Sequence, residues 1–210
     1  CDNSIQNSTF KGNGEVYYGG AIAIDNARNS VYNCTFENNN AKYYGGAVDI
    51  FSTDNVVDNC TFKNNHVDYY GGAIALEKND NLVNNSVFNN NFADYYAGAV
   101  YLGSDNIVIN NSIFTDNSIG EGSSGGAVYV SSDNVTISDS QFKGNKAYSG
   151  GAIYWQGNDG TIKGSTFMEN DATLAGGAIE WESVNGTIEG CQFNENHAKW
   201  DGGAIYVPQH

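Results

Sequence analysis

The sequence predicts an all-β protein wound as a right-handed parallel β-helix of about eight coils, most of them 26 residues long. Three observations predict it. A Phe-x-x-Asn motif returns at Phe10, Phe36, Phe62, Phe88, Phe114, Phe142, Phe167 and Phe193, each with its asparagine three residues on, from Asn13 and Asn39 to Asn196. A Gly-Gly-Ala-Ile/Val motif starts at Gly19, Gly45, Gly71, Gly125, Gly150, Gly176 and Gly202, with Ala97-Gly98 filling the fourth slot. No segment carries a helical hydrophobic period of useful length. A fixed period of this size means one structural unit stacked on copies of itself.

Aligned on the phenylalanine, each turn reads as a series of elements. An aliphatic residue stands five positions before it, running from Ile5 and Val31 to Ile188. Three before it come Asn7, Asn33, Asn59, Asn85, Asn111, Asp139, Gly164 and Gly190. These residue types tolerate positive φ, so the column predicts a tight bend between two short strands. Two before it the residue is always Ser or Cys, small enough for an interior corner. After Gly-Gly-Ala a third strand alternates with period two. Ile22 and Ile24, Val48 and Ile50, and Ile74 and Leu76 point inward, while Ala23, Asp49, Ala75, Tyr101, Tyr129, Tyr154, Glu180 and Tyr206 point outward.

Three strands per repeat make a coil, and the usual handedness of parallel crossovers makes it right-handed. At a strand spacing of about 4.8 Å, eight coils form a rod roughly 35–40 Å long. Each phenylalanine is expected over its copy in the next coil, with burial of a ring worth roughly 1.5–3 kcal/mol. The asparagine column can form side-chain amide ladders that satisfy bend carbonyls. Trp155 and Trp181 replace the inner aliphatic, and five residues later Gly160 and Gly186 replace the bulkier Ile107 and Val135. A larger ring on one wall should therefore face a missing side chain on the next.

Composition excludes several function classes. The formal charge is −15 with nine basic residues, and Arg28 is the sole arginine. A nucleic-acid partner needs clustered Lys and Arg to neutralise phosphates, and an anionic membrane surface needs the same. No apolar run approaches the roughly 20 residues that span a bilayer. High Asn, Gly, Ser and Tyr content with one proline suits a secreted or surface-displayed β-protein. The chain opens on Cys1 and stops mid-pattern at His210, as expected of a single domain, 1–210, belonging to a longer surface protein. Open sheet edges at its ends would permit end-to-end self-association.

The strongest departure from pure stacking is a tyrosine pair before the glycines. Its first member (Tyr17, Tyr43, Tyr69, Tyr95, Tyr148, then Leu174 and Trp200) stays apolar and shares parity with Ala41, Val67 and Ala93, which predicts an inward or half-buried side chain. Its second member is Tyr18, Tyr44, Tyr70 and Tyr96, then Ser124, Ser149, Ala175 and Asp201, which predicts a solvent-facing edge. With the outward trio Tyr101, Tyr129 and Tyr154, these four form the candidate binding residues. Stacked outward tyrosines also reinforce a sheet through cross-strand pairing. Alternatively, aromatics with a polar tip offer a platform for sugar rings or a partner protein.

Other features read as structure. The two-residue insertion, Ser118-Ile-Gly-Glu-Gly-Ser-Ser124, is glycine-rich and reads as a tolerated bulge. Asp54 and Asp80 stack in a column with Asp2, Asn106, Asn134, Asp159 and Asn185, read as solvated turn residues rather than a Ca²⁺ site. Cys34, Cys60 and Cys191 fall in the small inward column and read as buried thiols, with no zinc spacing. Of the sequons at Asn7, Asn33, Asn59, Asn84, Asn110, Asn134 and Asn185, those at Asn7, Asn33 and Asn59 coincide with the bend column. Parallel β-helices also host polysaccharide lyases and hydrolases. Here Arg28 stands alone, His66 and His197 have no recurring acidic partner, and Asp49 and Glu180 lie five coils apart. Glu180 and Glu182 share a face without a third group. No catalytic constellation, metal site or cofactor is therefore expected, and the chain reads as a non-enzyme.

The paired motifs resemble those of chlamydial polymorphic outer-membrane proteins. Coils worded like Asn33-Cys-Thr-Phe-Glu-Asn-Asn-Asn-Ala-Lys-Tyr-Tyr-Gly-Gly-Ala47 are similar, more closely, to adhesin-like proteins of methanogenic archaea. The resemblance covers essentially the whole chain and implies a right-handed parallel β-helix on a cell-surface protein with a role in adhesion. It carries over no binding residue. The expected function is a rigid extracellular stalk that binds glycans or a partner cell through its tyrosines. A purely structural spacer is the alternative, and a polysaccharide-acting enzyme comes third.

Overall fold

A computed structural model describes residues 2–209. Its strands form four parallel sheets of eight strands each, and in every sheet each strand pairs with its copy one coil away. The third coil shows the pattern: Val56–Asp58, Thr61–Lys63, His66–Val67 and Ile74–Leu76. Register is regular, with Phe62 opposite both Phe36 and Phe88 and Ile74 opposite both Val48 and Val100, and it shifts between Val16 and Tyr18 in the first coil. Among the described residues no helix is long and apolar enough to cross a membrane.

The coil has four strands where three were expected. The additional one, exemplified by His66–Val67, is two residues long in most coils. It buries a single small residue, and Ala41, Val67 and Ala93 form a satellite cluster apart from the main core. So short a strand with one apolar side chain produces no alternation to read.

The core is built from columns. Successive phenylalanine rings lie 4.7–4.9 Å apart with planes within 7° of parallel. Beside them runs a buried amide ladder. Asn65 Nδ2 donates to Asn91 Oδ1 at 3.0 Å and to the Phe36 carbonyl at 3.1 Å, while the Asn65 backbone N–H donates to the same Oδ1 at 3.0 Å. This repeats up the rod, so polar groups turned inward at the corner find partners where water is excluded. A second amide ladder, Asn29–Asn55–Asn81, lines the opposite corner of the first coils. Farther along, that column becomes Ile107, Val135, Gly160 and Gly186 as the facing wall grows from aliphatics to Trp155 and Trp181. A Cβ on Gly160 would lie 2.2 Å from Trp155 Cζ2, and one on Gly186 equally close to Trp181 Cζ2. The size exchange read from the sequence is thus real packing.

The bend column behaves as expected, with φ of 47–61° from Asn7 to Gly190. The Asp54 and Asp80 column also lies in the left-handed region, φ 54–62° from Arg28 to Asn185, which explains its Asp and Asn content by turn geometry. From Gly20 to Gly177 the second glycine of the pair is demanded by proximity, since a Cβ on Gly72 would sit 2.1 Å from the Gly98 carbonyl oxygen. Cys34, Cys60 and Cys191 are free thiols, and Cys34 and Cys60 are buried. Cys1 lies outside the described residues. The insertion is absorbed without loss of register, Phe114 remaining opposite Phe142 and Ser118 opposite Lys146.

Two stability experiments probe this packing. Asn91→Ala strands the Asn65 N–H and the Phe62 carbonyl, and should cost roughly 2–4 kcal/mol in urea unfolding. Gly160→Val alone should destabilise strongly, while Gly160→Val combined with Trp155→Val should recover most of the loss. A purely additive double mutant would contradict the exchange.

Candidate functional site

The Gly-Gly corner and the strand after it present the side chains not consumed by the core. In the strand face, Tyr101, Tyr129 and Tyr154 pair in register and point away from the lumen. Solvent does not reach them freely, since Tyr129 is buried and Tyr101 and Tyr154 are half-buried. The cover comes from the second members of the tyrosine pairs. Tyr70 leans on Tyr101 with ring centroids 4.8 Å apart, and Tyr96 meets Tyr129 edge-on at 4.9 Å. Together these rings form a small aromatic layer outside the barrel.

The expected solvent-facing edge is therefore corrected. Tyr44, Tyr70 and Tyr96 are half-buried, and only Tyr18 in the first coil is exposed. The first members, expected inward, form the exposed stripe instead. Tyr17 is 58% exposed, Tyr95 50% and Tyr69 37%, with Tyr43 half-buried between them. Leu174 is half-buried and Trp200 exposed in the same column. The parity argument failed because the chain bends at Asp68–Tyr69 and at Asp94–Tyr95, immediately after the short strand, and because a register irregularity between Val16 and Tyr18 interrupts the pairing of the first coil with the second. Alternation does not survive a bend. Along the stripe, Tyr17 stacks on Tyr43 at 5.4 Å and Tyr69 on Tyr95 at 5.1 Å, while Tyr43 and Tyr69 tilt by 51°. Lys42 Nζ lies 5.6 Å from the Tyr17 ring centre and 5.2 Å from that of Tyr43.

Acidic residues sit at both ends of the outward tyrosine ladder. Near the first coils, Asp49 occupies the column later filled by Tyr101 and is 4% exposed. It lies in register with Ala75, so Glu77, two residues beyond on the same face, is its diagonal neighbour. The two carboxyls hydrogen-bond each other. Burial, the Glu77 charge and hydrogen bond, and Asp25 together push the Asp49 carboxyl up to about 8. Burial also raises Glu77, against the opposing effects of its Asp49 hydrogen bond and Lys78. Asp49 Oδ1 is enclosed and has no hydrogen-bond partner. With Tyr18, Ala23, Asp25, Tyr44 and Phe51, this pair lines a cleft of about 400 Å³. Burial, reinforced by Glu77, pushes the Tyr44 phenol beside it up to about 12.

At the other end Glu180 is buried, its carboxyl raised by burial, and its Oε2 lacks a partner. Glu182 accepts from the Tyr154 hydroxyl at 2.8 Å and from Gln156 Nε2 at 3.0 Å. The third group missing from the sequence reading of Glu180 and Glu182 is thus Tyr154 with Gln156. The partnership of Asp49 was also missed, because Asp49 was weighed only against Glu180 along its own column. Adding one period and two residues to 49 would have found Glu77.

His66 and His197 each have an acidic neighbour, but at non-equivalent positions, so no recurring His–acid pair forms. His66 Nε2 lies 3.7 Å from Asp94 Oδ1, and His197 Nδ1 lies 2.8 Å from Asp171 Oδ1. His66, Asp68 and Asp94 bring their ligand atoms within 4.8 Å of one another on an open surface. They can offer one imidazole and two carboxylates to a metal ion.

A sequence-family model described as a right handed beta helix region matches residues 1–113 and again 87–209, and gives the coil its hand. No curated protein and no solved structure gives a significant match.

The raised Asp49 carboxyl has a measurable consequence. In the unfolded chain it ionises near pH 4, while in the fold it keeps its proton until about pH 8. The folded state therefore binds the extra proton between those values, and stability falls as pH rises across that window. Asp49→Asn should match the wild type in urea midpoint near pH 4 and exceed it increasingly toward pH 8. A constant difference across the range would contradict the assignment.

Proposed function

The chain belongs to the right-handed β-helix family, and we propose that it serves as an extracellular, adhesin-type binding rod on a cell surface. It contacts an extended glycan or the surface of a partner cell. One observation carries the reading: the exposed line Tyr17–Tyr43–Tyr69–Tyr95 runs along the rod edge with ring spacings of 5.1–5.4 Å. A stiff scaffold holds these rings without the entropy cost that a loop would incur. Because neighbouring rings cover much of each other's faces, the stripe offers ring edges and phenol tips. That suits a polymer lying along the rod more than a sugar sandwiched between rings. The surrounding acidity, a formal charge of −15, disfavours anionic polymers.

Binding rather than turnover is supported by the closest acid pair on the cleft, Asp49 and Glu77. A glycosidase places two carboxyls on opposite sides of the scissile bond, separated by roughly 5–9.5 Å. Asp49 and Glu77 are hydrogen-bonded to each other, which leaves no such gap between them. A second reading, a spacer whose recognition lies elsewhere in a longer protein, is favoured by the same stacking. Rings that pair with their copies already contribute to cohesion of the coils.

A glycan array and whole-cell binding assay separates the two. Replacing Tyr17, Tyr43, Tyr69 and Tyr95 by Ala should lower binding by about tenfold or more, equivalent to roughly 1.4 kcal/mol, with β-sheet circular dichroism unchanged. Absence of binding by the unmodified rod would favour the spacer.

A further inference from the structure

We propose that the cleft floored by Ala23 and Asp49 is a subsite for a sugar unit bearing a free primary ammonium group. The inference rests on the glycan-binding reading and names the chemistry of one unit of such a ligand. The space exists because the outward column begins with small side chains. Tyr101, Tyr129 and Tyr154 fill the face in later coils, whereas Ala23 and Asp49 leave about 400 Å³ open. Tyr18 and Tyr44, stacked 6.1 Å apart, precede the floor residues along the chain, and Asp25, Phe51 and Glu77 follow them. The cleft is thus an aromatic slot carrying acids, the size of a small-ligand pocket.

Charge selects the occupant. Three carboxyl groups, Asp25, Asp49 and Glu77, line the slot, and no lining residue is cationic. Asp49 is 4% exposed, lines the cleft, and has one oxygen without a partner. A buried acid in that position lacks a counter-charge and meets the deficit by holding a proton. An ammonium group would supply the charge, and the aromatic lining would favour a cation further. Lys78 already shows this chemistry at the rim, with its Nζ 4.3 Å from the centre of the Phe51 ring. A pyranose ring bearing the amine has the bulk to occupy a cleft of about 400 Å³, whereas the slender side chain of a lysine would leave much of it unfilled.

Ligand entry then has a proton balance. As the ammonium group arrives, Asp49 gives its proton to solvent and remains as the carboxylate. The titratable groups acting with Asp49 are Glu77, Asp25 and Tyr44, and Lys78 acts on Glu77. None of these provides an alternative positive charge inside the slot.

The test is isothermal titration calorimetry near neutral pH and at moderate salt, in two buffers of different ionisation heat. The probes are a β-1,4-linked glucosamine oligomer and its fully N-acetylated counterpart. The wild-type rod should prefer the free amine by about tenfold or more and release close to one proton on binding it. Asp49→Asn should lose both the preference and the proton release. The Tyr17/Tyr43/Tyr69/Tyr95 alanine variant should keep the preference while binding every oligomer less tightly. Equal affinity for the two oligomers would overturn the subsite while leaving glycan binding intact. An amine preference unchanged in Asp49→Asn would also overturn it, by assigning the preference to the general negative field. No binding of either oligomer defeats the subsite, and no binding to any glycan on the array defeats the parent reading as well.

Discussion

Everything in this structure depends on parallel pairing of each coil with its own copy, in register, one strand spacing away. That constraint turns a sequence repeat into physical columns, so each position is judged by how well it stacks on itself. Phenylalanine succeeds because flat rings at 4.7–4.9 Å fill the lumen without gaps. Asparagine succeeds because its amide is donor and acceptor at once, and a column of amides satisfies itself while capping the carbonyls of the coil below. Charged residues stack poorly for the same reason. Thus Asp49 stands between Ala23 and Ala75, and Glu180 between Tyr154 and Tyr206, and neither continues a column of acids.

Departures from self-stacking have two origins. Some compensate inside the core: the column of Asn29, Asn55 and Asn81 gives way to Ile107 and Val135 and then to Gly160 and Gly186, as the opposite wall grows to Trp155 and Trp181. Lumen volume is conserved while its chemistry changes along the rod. Others lie on the outer face and have no compensation. Asp49 and Glu180 each keep a buried oxygen without a partner, a costly arrangement when it serves packing alone. The outer aromatic layer, in which Tyr70 and Tyr96 cover Tyr101 and Tyr129, makes that cost possible by removing water from an otherwise exposed sheet face.

Much of the architecture was determined by the sequence alone, because a solenoid of fixed period has little freedom. Periodicity dictates register, register dictates which residues stack, and residue type then identifies lumen, bend and face. The phenylalanine column, the bend asparagines, the amide ladder and the Trp–Gly exchange follow from that chain of inference. Tertiary structure decided what a one-dimensional period does not encode. A bend of two residues at Asp68–Tyr69 reversed the exposure of the paired tyrosines, since alternation holds only while the backbone stays extended. A two-residue strand with one buried side chain was too short to announce itself. The pairing of Asp49 with Glu77 needed diagonal neighbours across coils. Its raised pKa needed burial and the nearby carboxyls of Glu77 and Asp25, which only the folded coils bring together.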